Sequence, residues 1–306
     1  MPIEVRNISC RYGERTPLEV QALEGISFRV EDGAFVGIMG RTGCGKSTLL
    51  QLIAGLISPG EGQILIDGRD IHSMGYDREI LRRKLGIVFQ YPEYQLFETT
   101  VEKDVAFSLK HRDMSKKEKA ERVRWALEAV GFGEESGDGA SGKHMSGTRG
   151  IFGSQGIACQ SPLSLSGGEK RRVAIAGVLA AKPEILLFDE PIAGLDPFGR
   201  QRFLELAAGL HRQGTTILMV SHNAEALCAY ADRILVLDRG RLAADGTPEE
   251  IFGDLGRAER LHIGAGDVRQ IAQGLYEKGR LHTPDIVKYQ VLLDEIKKIL
   301  KAGEDA

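Results

Sequence analysis

Gly40-Arg41-Thr42-Gly43-Cys44-Gly45-Lys46-Ser47-Thr48 decides how this chain is read. The stretch has the form G-x-x-x-x-G-K-[ST], and an apolar run, Phe35-Val36-Gly37-Ile38-Met39, leads into it. Glycines at 40, 43 and 45 let backbone N–H groups approach polyphosphate oxygens, and the helix that follows adds its positive end. Leu49, Leu52, Ile53 and Leu56 recur at helical spacing behind it and are expected to face the core. In such a loop Lys46 supplies a point charge for the β- and γ-phosphates, the Ser47 hydroxyl is the expected Mg²⁺ ligand, and Thr48 hydrogen-bonds nearby. A nucleoside triphosphate is the expected ligand. Cys44 has two readings: a thiol made reactive by the helix start and Lys46, or a small residue that fits. In either case blocking it is expected to exclude the nucleotide.

Three further apolar runs stop in the same manner. Residues 85–89 lead to Gln90, residues 185–188 to Asp189 and Glu190, and residues 216–220 to Ser221 and His222. Runs of this kind predict parallel strands buried on both faces. Ligands of open α/β sheets bind beyond the carboxyl ends of the strands, so the four ends are expected to meet at one crevice. There Asp189 suits outer-shell support of Mg²⁺, and Glu190 is placed to take a proton from an attacking water. Gln90 is expected to touch both the metal and that water, and His222 to hydrogen-bond the γ-phosphate and hold the water. Leu165-Ser166-Gly167-Gly168-Glu169 carries a capping box, Ser166 with Glu169, which predicts a second helix start with exposed N–H groups. One chain does not easily fold both helix starts onto one nucleotide, and each motif occurs once, so a second subunit is expected.

Around this core, apolar runs at 3–5, 26–30 and 64–66, punctuated by Asp32-Gly33 and Asp67-Gly68, predict antiparallel hairpin strands. Residues 101–130 read as helical: Ser115 and Glu118 form a capping box, Val123, Leu127 and Val130 share a face, and Gly131 stops the helix. Residues 133–160 are Gly- and Ser-rich and predict a mobile loop, either an inert insertion or a partner-contacting one. Beyond Gly246-Thr247-Pro248 the pattern is helical again, with Ile286, Tyr289, Leu293, Ile296 and Leu300 forming a stripe. That stripe packs on the chain's own core or on a second subunit, while the Lys297-Lys298 face is solvated.

The 306 residues carry a net charge of −3, which argues against a nucleic-acid footprint. The longest apolar runs fall far short of the roughly 20 residues that span a bilayer. The opening residues lack the basic and apolar regions of a secretory signal, so a cytoplasmic protein is expected, linked to a membrane through partners. Cys10, Cys44, Cys159 and Cys228 are scattered without metal-ligand spacing and read as free thiols.

In this order and combination the phosphate loop, Leu165-Ser-Gly-Gly-Glu169 and the run ending in Asp189-Glu190 resemble the ATPase subunits of ABC transporters, over roughly residues 3–248. The resemblance implies an α/β nucleotide-binding domain of the P-loop NTPase class at 1–247. It comprises a parallel core sheet, an antiparallel β-layer and an inserted helical subdomain at about 91–180, with a helical extension at 248–306 that is a candidate for dimerisation. It implies ATP with Mg²⁺ and a dimer in which the signature of one subunit closes on the nucleotide of the other. Ser166, Gly167, Gly168 and Glu169 then act in trans, and Asp196, in the family's D-loop, communicates across the dimer. Tyr12 matches the aromatic that stacks on adenine, though an isolated Tyr also suits surface packing. Val88-Phe-Gln90-Tyr-Pro-Glu-Tyr-Gln-Leu-Phe97 resembles the loop of energy-coupling factor importers, which take up vitamins and transition-metal ions. The Arg41-Thr-Gly-Cys44 version of the phosphate loop is similar to the second of their two ATPases. An ordinary amphipathic loop is the alternative for 91–97. The family implies work at the cytoplasmic membrane face with a transmembrane coupling protein and a substrate-binding membrane protein. The rival readings are the ATPase of a conventional importer and a soluble ABC ATPase acting on nucleic acid or ribosomes.

Overall fold

Burial on both faces requires strands without polar alternation, and the centre of the molecule is built from such strands. The computed structural model describes residues 2–13, 16–132 and 156–304; the larger part of the 133–160 stretch lies outside the described residues. The strands are β1 (Ile3–Tyr12), β2 (Val20–Val30), β3 (Phe35–Gly40), β4 (Glu61–Ile66), β5 (Arg69–Asp70), β6 (Leu85–Val88), β7 (Ile185–Asp189), β8 (Thr216–Val220), β9 (Arg233–Asp238) and β10 (Arg241–Gly246). Every residue of β3, β7 and β8 is buried. These strands belong to a six-stranded sheet of order β10-β9-β3-β8-β7-β6, parallel throughout except at β10.

The register explains why polar groups gather at one end. Ile38 of β3 pairs with Val220 of β8, which pairs with Asp189 of β7, and Val88 of β6 pairs with Phe188. Gly40, Gln90, Asp189 and Ser221 therefore all follow at the same edge of the sheet.

A four-stranded antiparallel sheet, β2-β1-β4-β5, covers one face of the core. Asp67-Gly68 makes the expected hairpin between β4 and β5: both residues have positive φ (53° and 73°), as a two-residue type I′ turn requires. Asp32-Gly33 does not. It joins β2 to β3, which lie in different sheets, and the Gly33 N–H instead donates to Thr216 Oγ1 at 2.9 Å.

Helices cover the other face. The 101–130 stretch is not one helix but Val101–Ala106, a 3₁₀ turn and Lys116–Leu127, the last opened by the Ser115–Glu118 capping box. Val123, Leu127 and Val130 are buried together, and Gly131 ends the run at φ 89°. Residues 156–160, expected to be mobile, are fixed where they rejoin the fold: Ala158 is buried, and the Gln160 carbonyl accepts from the Val101 N–H at 3.0 Å. Leu56 departs from the expected core face, because the helix Lys46–Ile53 stops at the Ala54 cap and Gly55 turns the chain at φ 68°, leaving Leu56 exposed.

The C-terminal stripe is shifted. In the helix Tyr289–Glu304 the residues that pack are Leu292, Ile296 and Ile299, against Val268, Ala272, Leu275, Leu281 and Ile286; Tyr289 and Leu300 are exposed. Lys297 and Lys298 face solvent beside Asp294 and Glu295.

Candidate nucleotide site

The phosphate loop is shaped by three glycines with positive φ: 142° at Gly40, 80° at Gly43 and 102° at Gly45. A Cβ on Gly40 would lie 2.0 Å from the Leu237 carbonyl oxygen, and one on Gly45 2.5 Å from Leu23 Cδ2. Around Gly43 there is open space. The packing of the sheet dictates Gly40 and Gly45, whereas Gly43 meets no neighbour in the chain. Helix Lys46–Ile53 has no side-chain cap and no acidic residue in its first turn, so its first N–H groups keep their capacity for an anion. Arg41 and Thr42, at the crest of the loop, are exposed.

Lys46 is buried, and its ammonium donates to the Gly40 and Arg41 carbonyls at 2.7 and 2.9 Å. It sits folded under the loop it would serve. Cys44 is buried too, and burial pushes its thiol up from the ordinary value against the pull of Lys46. Of the two readings of Cys44 this favours the small residue that fits, since the low-dielectric surroundings outweigh the cation. Tyr12 donates its hydroxyl to Thr48 Oγ1 at 3.3 Å and leaves its ring exposed beside the loop.

Asp189 and Glu190 are both buried. Burial raises the Asp189 carboxyl, and the Ser47 hydroxyl and Lys46 act the other way. Burial also raises the Glu190 carboxyl, against the His222 backbone N–H and Lys46. His222 Nε2 stands 3.4 Å from Glu190 Oε1, yet that oxygen has no partner of hydrogen-bond geometry among the described residues. Burial lowers the His222 pKa, followed by Lys46, which favours the neutral ring. Glu190 has φ 50°, a left-handed conformation that is costly for a side chain of this size. Its N–H donates to the Val220 carbonyl at 3.0 Å, which ties the end of β7 to β8.

The signature segment opens the helix Gly167–Ala180. Ser166 and Glu169 form the expected capping box, and the Ser166 hydroxyl donates to Glu169 Oε2 at 2.7 Å, holding that carboxyl below its usual range. Gly167 and Gly168 have ordinary helical geometry and open space on their outer side. Asp196 caps the helix Pro197–Arg212 by accepting from the Gly199 N–H at 2.7 Å. Both carboxylates assigned to the far side of a dimer thus have work within this chain.

A cavity of about 380 Å³ adjoins the phosphate loop, lined by Gly40, Arg41, Thr42, His222, His262 and Gly264 among others. No residue of 166–169 lines it. Nothing in the helical pattern after residue 248 pointed to His262, whose φ of 55° reveals its place only in the fold. A second groove, of about 600 Å³, runs between β6 and the helical layer, with Leu96, Phe97, Phe107 and Arg112 on its walls. The 91–97 segment borders it as a 3₁₀ turn, Pro92–Gln95, entered through Tyr91 at φ 57°. Tyr94 is 85% exposed and Phe97 64%. Asp104 anchors the end of this segment by accepting from the Phe97 and Glu98 N–H groups at 3.2 and 2.9 Å. Gln90 is exposed at the start of the segment.

This arrangement is an ATP-binding cassette, and the ABC transporter family model matches residues 23–193. The energy-coupling factor transporter ATP-binding protein EcfA2 of Caldanaerobacter subterraneus subsp. tengcongensis is 41% identical over the whole of both chains. Among solved structures, cbiO1 of Clostridium perfringens, part of the ABC transporter complex cbiONQ, is 32% identical with a TM-score of 0.68, over 90% of this chain and 96% of that one. An ATP-binding cassette in a dimeric post-hydrolysis state bound to ADP and Pi is 29% identical with a TM-score of 0.66, over 80% and 98%. The chain belongs to the ABC transporter family, and within it to the energy-coupling factor ATP-binding proteins of the second type. It is an ATPase subunit that energises transport. No helix among the described residues is long and apolar enough to cross a membrane.

Proposed function

We propose that this subunit binds ATP at Gly40–Thr48, pairs with a second, related ATPase subunit so that two ATP molecules are shared, and drives uptake of a vitamin or transition-metal ion. Lys46 leaves the Gly40 and Arg41 carbonyls for the β- and γ-phosphates, and Tyr12 stacks on the adenine. Glu190 takes the proton of the attacking water, with His222 and Gln90 positioning the γ-phosphate and that water. His222, held neutral, is suited to donate one hydrogen bond without repelling Lys46.

The residues present fit Mg²⁺. The Ser47 hydroxyl and the Asp189 carboxyl interact at the helix start as hard oxygen donors, and no group of three or more His, Cys, Asp or Glu among the described residues forms a metal cage of its own. Such a sparse set suits an ion completed by nucleotide oxygens and water, with Gln90 at its margin. Bound there, Mg²⁺ would offset charge on the phosphates.

Gly167 and Gly168 carry this reading. Neither has positive φ and neither faces a neighbour, so a larger residue would suit this chain alone. Two glycines at an uncrowded helix start leave backbone N–H groups open to something outside the chain, and the phosphates of ATP held by the other subunit fit that space. Gly168→Ala is accordingly expected to keep or raise the thermal stability of the isolated subunit, by up to about 1 kcal/mol. The same substitution lowers ATP turnover of the dimer. A stability loss with normal turnover in paired calorimetry and ATPase assays would contradict this.

The 600 Å³ groove and the exposed Tyr94 and Phe97 suit docking of a transmembrane coupling protein on the cytoplasmic face. A separate substrate-binding membrane protein would set which molecule is carried. The experiment is to tag the protein, solubilise native membranes in mild detergent and identify what co-purifies in stoichiometric amount. A related ATPase, a multispanning protein and a small membrane protein are expected. Two conventional permease subunits would instead make it an ordinary importer ATPase, and a soluble ribosome or DNA complex would overturn the transport reading.

A further inference from the structure

Arg171 lies in the helix Gly167–Ala180, where Lys170-Arg171-Arg172 has the look of a solvated basic face. It is instead buried, at 6% exposure. Its guanidinium spans one turn of the chain: Nη1 donates to the Ala193 carbonyl at 2.6 Å and Nη2 to the Glu190 carbonyl at 3.1 Å. The two acceptors bracket the turn that the Ala193 N–H closes onto the Glu190 carbonyl at 3.2 Å. Glu190 enters this turn with φ 50°, a conformation that persists only where surrounding bonds over-determine it. The planar fork of an arginine reaches both carbonyls at once, which the single ammonium of lysine does not do with the same geometry.

The 3₁₀ turn of the 91–97 segment packs on the same helix. Burial disfavours the charge of Arg171, and the compensation comes from Glu93 and then Tyr91, both in that segment. Two buried polar atoms are left over there. Arg171 Nε and Glu93 Oε2 both lack a hydrogen-bond partner among the described residues. A buried donor and acceptor of opposite charge, each unmet, cost free energy that bringing the two together would recover.

We propose that Arg171 is a positioning residue that sets the backbone of Glu190 and that, through Glu93, makes that setting depend on where the 91–97 segment stands. This rests on the reading of Glu190 as base and of the segment as the contact with the membrane partner. Movement of the segment that brings Glu93 onto Nε stiffens the fork on the 190–193 turn, and movement away loosens it. The membrane side thereby reaches the hydrolytic carboxylate without touching the nucleotide.

The test uses the assembled transporter. Arg171→Met is expected to lower kcat for ATP hydrolysis about tenfold or more, since small misplacements of a reacting group are that costly. The KM for ATP and nucleotide affinity stay within about twofold, because the lost interaction is not a ground-state contact. Arg171→Lys restores the melting temperature but not kcat. Glu93→Gln lowers kcat as well, and in the double variant the second substitution adds little. Parent-like kcat in Arg171→Met, or a change confined to KM, overturns the proposal, and additive effects overturn the link to Glu93. Should Arg171→Met not fold, the same readouts on Arg171→Lys and Glu93→Gln decide it, with parent-like kcat in both as the refuting result. Glu190→Gln, run alongside, separates failures: if it hydrolyses ATP normally the reading of the base is wrong, whereas if it is inactive and Arg171 variants are not, only this inference falls.

Discussion

Glu190→Gln lowers ATP hydrolysis by about 10²- to 10⁴-fold while ATP binding is retained, the range expected when a general base is removed from a positioned water. The substitution keeps shape and volume, and the residue lies against β8 through its own N–H to Val220, so the backbone has no reason to move. Gln also removes a charge that burial opposes. The folded state holds the Glu190 proton to a higher pH than the unfolded chain does, so its contribution to stability falls as pH rises from the ordinary glutamate value, about 4.3, through the raised one. At neutral pH the Gln variant is therefore at least as stable as the parent. With Glu190 as the base, hydrolysis needs its carboxylate, so the acid limb of kcat/KM in the parent, which reports the nucleotide-free enzyme, lies above the ordinary glutamate range, and Gln removes that limb with the activity. With ATP bound and not consumed, the closed dimer accumulates. Single-turnover hydrolysis, nucleotide titration and size-exclusion chromatography with ATP check each part, and turnover near the parent rate would remove Glu190 from the role.

The phosphate loop and the parallel core were legible because their causes are local. Continuous apolar runs announce strands buried on both faces, and glycines at 40, 43 and 45 announce backbone angles that other residues avoid. The capping boxes at Ser115 and Ser166 were legible for the same reason, since cap and partner lie three residues apart. What sequence reading missed depends on partners far along the chain. Asp32-Gly33 and Asp67-Gly68 are equivalent dipeptides, yet only the second joins neighbouring strands of one sheet. In the helix Tyr289–Glu304 two apolar stripes share Ile296, and only the positions of Val268 and Ala272 select Leu292 and Ile299 over Tyr289 and Leu300.

The site divides along the same line. Lys46, Ser47, Asp189, Glu190 and His222 are brought together by strand ends whose register follows from the sheet. Arg171 was hidden within a basic run, because its acceptors at Glu190 and Ala193 come from another element. His262 was hidden because its position beside Gly40–Thr42 depends on how the C-terminal residues fold back. The left-handed backbone of Glu190 has no signature in Phe188-Asp189-Glu190-Pro191 at all.

Gly40→Ala and Gly43→Ala, compared in one experiment, separate the two reasons a phosphate loop uses glycine. At Gly40 the reason is packing. A Cβ there would meet the Leu237 carbonyl oxygen at 2.0 Å and Cys44 Sγ at 2.8 Å, at a φ of 142°. Leu237 is the register partner of Gly40 across β3 and β9, so the oxygen moves away only if the central sheet opens. Gly40→Ala is expected to cost at least about 3 kcal/mol, from backbone strain and overlap together, and to lower the melting temperature by several degrees. At Gly43 the methyl meets nothing in the chain, so the cost is the left-handed conformation alone, about 1–2 kcal/mol. Its larger effect falls on the ligand, because the methyl occupies the open space that phosphate oxygens need. Both variants lose ATP affinity, Gly40→Ala because the loop no longer forms and Gly43→Ala because the formed loop is obstructed. Thermal unfolding with and without ATP distinguishes them: the parent is stabilised by ATP, Gly43→Ala melts a few degrees below the nucleotide-free parent and gains nothing from ATP, and Gly40→Ala melts lower still. A Gly40→Ala variant that unfolded with the parent would show that β9 yields at Leu237 and that the loop is not clamped by the sheet.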